Sequence, residues 1–484
     1  MIPVTLAELA EATGGTLLDA DPGEKAAGLT LDSRNVAPGD LFVGLPGERA
    51  DGAAFAAGAV AAGAVAAVIR AGAATSAFPR IEVADPLAAP SRPGVAAFPR
   101  IEVADPLAAL TAIGGAVRDR SPAKVIGVTG SSGKTLTKDL LAAVFATKRR
   151  TLASAKSFNN EIGLPLTLTR LEPDTEVLVV EMGSRGVGHI AELCRTARPD
   201  VGVVTNVGLA HYEMFGSQAT IAQAKGELPE ALPADGVAVL NADDALVAGM
   251  AERTGARVVT YGIDAPADVR ADGLTLGADA RPSFTLVTPD GRADVTLPAP
   301  GEHLVADALA AAAAGWALGL AADDIAAGLA AAKLSPMRME VTRRADGATI
   351  WNDAYNANPA SMTAGLKALI AARQPGGRTI AILGEMAELG GIATEEHDRI
   401  GRLLVRLGID RVVGVGPLGE VIVRAARLEG IWEPADAAAV PAVEDAAAAA
   451  GPLGPHDVVL VKASRAVGLD RAVEDLLSGQ EVGA

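Results

Sequence analysis

Short apolar runs of strand length alternate along this chain with longer stretches of helical spacing. Runs at 124–128, 177–181, 201–205, 236–241 and 257–261 are each followed by a glycine-containing or polar turn and a helix-like segment. That alternation predicts a mostly parallel sheet flanked by helices, with ligands beyond the carboxyl ends of the strands. Residues 268–300 read instead as short antiparallel strands, and 304–320 as a long Ala-rich helix. After the turn Ser335, Pro336, Met337 and Arg338, the pattern resumes with strand-like runs at 379–383, 411–415 and 457–461. Ahead of the central region, Thr5 and Glu8 form a capping box for a first helix, and strands are expected at 29–34 and 40–45. Leu107, Leu110, Ile113 and Val117 then mark one amphipathic helix. The expected fold is therefore α/β in three domains: residues 1–118, 119–334 and 335–484.

One stretch breaks the pattern. Residues 77–89 recur letter for letter at 97–109, and two identical copies do not make a solenoid. They read as a tandem duplication in which the second copy carries the native helix start. The first copy would then be a surface insertion.

Composition narrows the function classes. The chain's 484 residues suit about three domains, and half of them are apolar, enough for a core in each. The formal charge is −17 with no long Lys/Arg run, so nucleic acid and anionic membrane surfaces are poor partners. The single cysteine, Cys194, excludes an intrachain disulfide, fits a reducing compartment, and reads as a small buried apolar residue. The N-terminal residues lack a basic stretch followed by an apolar run, so no secretory signal is expected. The uncharged run 53–69 reads as a buried helix passing into a strand, not as a membrane span. A cytoplasmic, monomeric protein is the expectation.

The candidate chemistry begins at Gly127-Val128-Thr129-Gly130-Ser131-Ser132-Gly133-Lys134-Thr135. A strand, a glycine-rich turn and Lys-Thr opening a helix are what a phosphate-cradling loop requires. Backbone N–H groups converge on phosphate oxygens, lysine reaches the terminal phosphates, and the next hydroxyl can hold Mg²⁺. Val128 stands where the commonest spacing has glycine. The expected ligand is ATP or GTP. Taken singly, Glu181, His211 and Lys225 are ordinary: a strand-end carboxylate, a lone histidine and a helical lysine. His397, among Glu395, Glu396, Asp398 and Arg399, reads as a surface histidine.

Order and spacing behind the phosphate loop change this. Ser157-Phe158-Asn159-Asn160, Val180-Glu181-Met182-Gly183, His211-Tyr212-Glu213-Met214-Phe215-Gly216-Ser217 and Lys225-Gly226-Glu227 follow in sequence. Beyond them come Asn241-Ala242-Asp243-Asp244, Gly301-Glu302-His303, Tyr355-Asn356-Ala357-Asn358-Pro359, Gly384-Glu385-Met386-Ala387-Glu388-Leu389-Gly390 and Lys462-Ala463-Ser464-Arg465. Together they resemble the Mur ligase family, the ATP-dependent amide-bond ligases of peptidoglycan precursor synthesis, over nearly the whole chain. Several of these segments are similar to the family member that joins D-alanyl-D-alanine to UDP-N-acetylmuramoyl-tripeptide. The Asp-Asn-Pro-Arg motif typical of the enzyme adding the third residue is absent.

The resemblance implies ATP and Mg²⁺ as cofactors and the following roles. Lys134, with Gly130, Ser131, Ser132, Gly133, Thr135 and Leu136, would hold the ATP phosphates, and Asn241, His303, Arg338 and Asp353 would line the nucleotide. Thr135 and Glu181 would hold one Mg²⁺, and His211 and Lys225, the latter as a carbamate formed with CO₂, would serve a second. Asp32, Ser33 and Arg34 would meet the uridine diphosphate of the sugar substrate, with Asn159 and Asn160 nearby. Asn356, Asn358, Lys462, Ser464 and Arg465 would face the peptide and the incoming dipeptide. Asp307 stands where relatives usually have asparagine, and Ala53 where they have histidine. The rivals are a folylpolyglutamate-synthase-like ligase, which would lack the Asp-Ser-Arg first unit, and, from another class, a P-loop switch ATPase.

Overall fold

The structure, a computed structural model, describes residues 1–48, 50–73, 98–155 and 157–478. The chain forms two compact units. The first comprises Met1–Val125, Leu152–Met182 and Glu192–Arg198, and the second Ile126–Thr151, Gly183–Ala191 and Pro199–Ala484.

In the first unit a five-stranded sheet runs in the order Thr16–Leu18, Arg100–Val103, Ala66–Arg70, Asp40–Val43, Gly28–Thr30. All neighbours are parallel except the first pair. The expected capping box at Thr5 and Glu8 opens the helix Leu6–Thr13, which Gly14 ends in the left-handed region. The run 53–69 becomes a short helix, Ala56–Ala61, and the buried strand Ala66–Arg70. Asp105, in the second copy of the duplication, caps the helix Pro106–Asp119 through the Leu107 N–H. The first copy and the proposed insertion lie outside the described residues. Cys194 is buried, its thiol against the Met182 sulfur at 3.7 Å, as a structural cysteine should be.

In the second unit, residues 126–129 pair in parallel with Val201–Val204, which pairs with Val237–Asn241 and then Arg257–Gly262. Val269–Leu276 joins the parallel run, and Pro282–Thr288 and Gly291–Thr296 add the expected antiparallel strands. The helix Leu304–Ala317 is buried over most of its length. Its alanines make this feasible, since they lose no side-chain entropy and let the helix Lys134–Ala146 pack closely. A six-stranded sheet follows, ordered Glu340–Arg343, Thr349–Asn352, Val458–Lys462, Thr379–Leu383, Arg411–Val415, Ala437–Val440. It is parallel apart from its first pair. The α/β class and the mostly parallel sheets are as expected. Among the described residues no helix is long and apolar enough to cross a membrane.

Candidate active site

The phosphate loop is built from both ends. Gly130, at φ +154°, and Gly133, at φ +80°, sit in conformations that side-chain-bearing residues rarely adopt. A Cβ on Gly130 would lie 1.8 Å from Thr205 Oγ1, and one on Gly133 would lie 2.1 Å from Asp307 Oδ1. Gly133 caps the helix Lys134–Ala146 without any side-chain acceptor, so the positive helix end remains directed at the loop. Lys134 Nζ donates to the Gly130 carbonyl at 2.7 Å, curled over the loop it would serve.

The bracing comes from the neighbouring strand end, residues 205–208. Asn206 Oδ1 accepts from the Ser132 N–H at 3.0 Å, and its carbonyl accepts from the Ser131 N–H. Thr205 Oγ1 donates to the Ser132 carbonyl at 2.6 Å, and the Gly208 N–H donates to Ser131 Oγ at 2.9 Å. Asn241 spends its amide on backbone: Nδ2 donates to the Thr205 carbonyl and Oδ1 accepts from the Asp243 N–H. It holds the end of the strand beside the loop. Thr135 and Leu136 are both buried on the helix.

Three groups beside the loop act on one another. Lys225 is buried, and burial followed by the nearby Lys134 charge pushes its amine well below the usual lysine range. A neutral amine is the form that adds CO₂ to give a carbamate. His211 is held below the usual imidazole range chiefly by burial; Glu388 opposes this and Lys134 and Lys225 reinforce it. Glu388 Oε2 is in close contact with His211 Nδ1, although that nitrogen lacks an aligned hydrogen bond. Nε2 is then the ring's remaining ligand nitrogen, and a neutral imidazole suits a cation. Among the described residues no three His, Cys, Asp or Glu side chains gather as metal ligands. Mg²⁺ usually takes few protein carboxylates and several substrate phosphate oxygens, so the donors present fit a cation held largely through a nucleotide.

A second cluster joins the helix Leu304–Ala317 to the six-stranded sheet. Lys462 Nζ donates to Asp353 Oδ2 at 2.6 Å and to the Asn356 carbonyl at 3.0 Å. Asp353 Oδ1 accepts from the Met339 N–H. His303 Nδ1 is buried without a partner, and burial lowers its imidazole to about 4. The Arg338 guanidinium stacks 4.2 Å from the Tyr355 ring centroid. Lys462 and Asp353 form a buried pair whose loss of either partner would cost about 3–5 kcal/mol. Asn358 caps the helix Pro359–Ala371 through the Ser361 N–H. Ser464 Oγ accepts from the Ala387 N–H at 2.8 Å, and Arg465 pairs with Asp470.

His397 corrects the surface reading. It is fully buried, its Nε2 accepts from the Met386 N–H at 2.9 Å, and its Nδ1 faces the Ala393 carbonyl at 2.6 Å. The helix Ala393–Leu407 turns Glu395 and Arg399 outward while His397 faces the loop at 385–390. Neighbouring charge in sequence said nothing about which way the ring pointed.

In the first unit, Asn159 Nδ2 donates to Glu181 Oε1 at 2.8 Å, so the two predicted site residues meet. Asn160 Oδ1 accepts from the Gly163 N–H and starts the helix Gly163–Leu168. Asp32 binds Arg34 through both carboxylate oxygens at 2.8 Å on an exposed turn that also includes Ser33, and this holds its carboxyl at about 2. Ala53 is buried and its N–H donates to Asp51.

The chain is similar to known proteins along its length. Three family models match in chain order: Mur ligase family catalytic domain at 25–113, Mur ligase middle domain at 128–315, and Mur ligase glutamate ligase domain at 337–465. UDP-N-acetylmuramoyl-tripeptide–D-alanyl-D-alanine ligase of Mycobacterium tuberculosis strain H37Rv is 46% identical, over 100% of this chain and 99% of its own. MurF from Acinetobacter baumannii has a crystal structure that is 30% identical with a TM-score of 0.83, covering 98% of this chain and 99% of that one. The MurF ligase of Thermotoga maritima, solved in complex with ADP, is 28% identical with a TM-score of 0.78, covering 94% and 99%. On these matches, and with a phosphate loop, a buried lysine and a histidine grouped as described, the chain belongs to the Mur ligase family.

Proposed function

We infer that the protein joins D-alanyl-D-alanine to UDP-N-acetylmuramoyl-tripeptide, using ATP, in peptidoglycan precursor synthesis. The tripeptide's terminal carboxylate attacks the γ-phosphorus, ADP leaves, and the resulting acyl phosphate is captured by the dipeptide amine with loss of phosphate and a proton. Two anions must meet in the first step, so the chain's task is charge placement more than proton transfer. The observation that carries this reading is the grouping of Lys134, Lys225 and His211 at a glycine loop capped by an open helix end. A lysine, a second amine and an imidazole beside backbone N–H groups suit a polyphosphate and its cation.

Lys134 would leave the Gly130 carbonyl for the terminal phosphates. Thr135 supplies a hydroxyl for Mg²⁺, and Glu181 a carboxylate held in place by Asn159. His211 offers Nε2, and Lys225, once carbamylated, an anionic oxygen pair. When bound, Mg²⁺ neutralises phosphate charge and polarises the transferring group. Asp32, Ser33 and Arg34 remain our assignment for the uridine diphosphate end. Asn160 has a structural use already and is assigned, with Asn159, to the sugar-peptide side. Asn356, Asn358, Lys462, Ser464 and Arg465 are assigned to the peptide and dipeptide side, and Asn241, His303, Arg338 and Asp353 to the nucleotide. The unpartnered His303 Nδ1 supports the last assignment. Domain limits of 1–118, 119–334 and 335–484 are supported by three family-model matches that fall inside them. A cytoplasmic monomer completes the proposal.

Carbamylation is tested by ¹³C NMR of protein equilibrated with labelled bicarbonate. A carbamate resonance should appear and be missing from Lys225→Met. The same spectrum from both proteins would refute the role given to Lys225.

A further inference from the structure

The loop at 385–390 belongs to the C-terminal family region, yet it reaches the histidine assigned to the phosphate site. The Glu213 N–H donates to the Glu388 carbonyl at 3.1 Å, two residues from His211. A Cβ on Gly390 would stand 3.2 Å from Glu213 Cβ, so the two loops are in close apposition. The Glu388 carboxylate meets His211 Nδ1. Both residues are held at left-handed φ, 59° for His211 and 62° for Glu388, which non-glycine residues adopt only when their surroundings fix them.

What fixes the loop is visible on its other side. His397 Nε2 accepts from the Met386 N–H, Ser464 Oγ accepts from the Ala387 N–H, and the Ser464 N–H donates to the Glu385 carbonyl at 2.8 Å. The loop is therefore pinned at three successive residues before it presents Glu388. A carboxylate on one imidazole nitrogen sets the tautomer and orientation of the other, and raises its basicity toward a cation.

We propose that Glu388 is a positioning residue: it orients His211 for the cation, so that the C-terminal domain completes the central domain's phosphate site. This rests on the assignment of His211 to a cation, made above. The chain of contacts means that the part of the protein assigned to the dipeptide also sets the ligand geometry at the nucleotide. His397 and Ser464 act one step further out, on the loop and not on the ring.

The test is Mn²⁺ affinity in the presence of ADP, read from the free-ion electron paramagnetic resonance signal, for wild type, His211→Ala, Glu388→Ala and Glu388→Gln. Loss of a carboxylate behind a metal-binding histidine weakens binding about 10–100-fold. We expect Glu388→Ala in that range, Glu388→Gln between it and wild type, and ADP affinity without metal unchanged within twofold. Weakening in His211→Ala with both Glu388 variants at wild-type affinity would overturn the positioning role. Wild-type affinity in His211→Ala would overturn the underlying assignment of the histidine, and the proposal with it. The isosteric Glu388→Gln keeps the test available if the alanine variant fails to fold.

Discussion

Asp307 is buried behind the phosphate loop, with Oδ1 accepting from Thr137 Oγ1 at 3.2 Å, and burial pushes its carboxyl up to about 7. Its position was legible as a departure from the usual asparagine, but its environment was not, because the helix carrying it lies far along the chain. A folded-state pKa above the unfolded value favours the protonated form. That stability is fully present below the ordinary carboxylate pKa of 3.8 and is lost as pH rises through about 7. A shift of about three units at about 1.4 kcal/mol each caps the effect near 4 kcal/mol. Asp307→Asn keeps the acceptor and removes the charge. Denaturant unfolding should find it more stable than wild type by roughly 2–4 kcal/mol at pH 8, with the gap closing toward pH 4. Parallel stability profiles for the two proteins would contradict this account. His211 and Lys225 show the reverse legibility. Their types and spacing were readable, while their mutual electrostatics needed the fold.

At the scale of elements, strands and helices followed closely from apolar periodicity, since a strand buried on both faces leaves a continuous run. The strand Val177–Glu181 and the helix from Leu304 lie where that pattern places them. Loops were read less completely. The brace formed by Thr205 and Asn206 under the glycine loop is a contact between two strand ends, and nothing local in either segment announces it. It also makes the loop testable. In Gly130→Ala the new methyl would strike Thr205 Oγ1, which donates to the Ser132 carbonyl, and the positive φ adds about 1–2 kcal/mol of strain. Calorimetric titration should show ADP binding weakened at least about tenfold, which is about 1.4 kcal/mol. An unchanged dissociation constant would mean that this loop does not cradle the phosphates. The loop at 385–390 likewise carries nothing local that announces its contacts. Its partners, His397 and Ser464, come from a helix and a strand end distant in sequence.

At the scale of the whole molecule, the order of motifs was more informative than any motif alone. The phosphate loop by itself allowed switches and motors. Followed by Glu181, His211 and Lys225, and preceded by Asp32-Ser33-Arg34, it matched one family along nearly the entire chain, as the three successive family models show. Composition contributed the exclusions, and the duplication at 77–109 pointed to no function. The central claim is that nucleotide cleavage is tied to amide formation, and it is met most directly by measuring phosphate release with ATP, UDP-N-acetylmuramoyl-tripeptide and D-alanyl-D-alanine, omitting each in turn. Steady release should need all three, and omission of the dipeptide should leave at most a single turnover's worth. Sustained release without the dipeptide or the sugar-peptide would contradict the account and point to a switch-type ATPase.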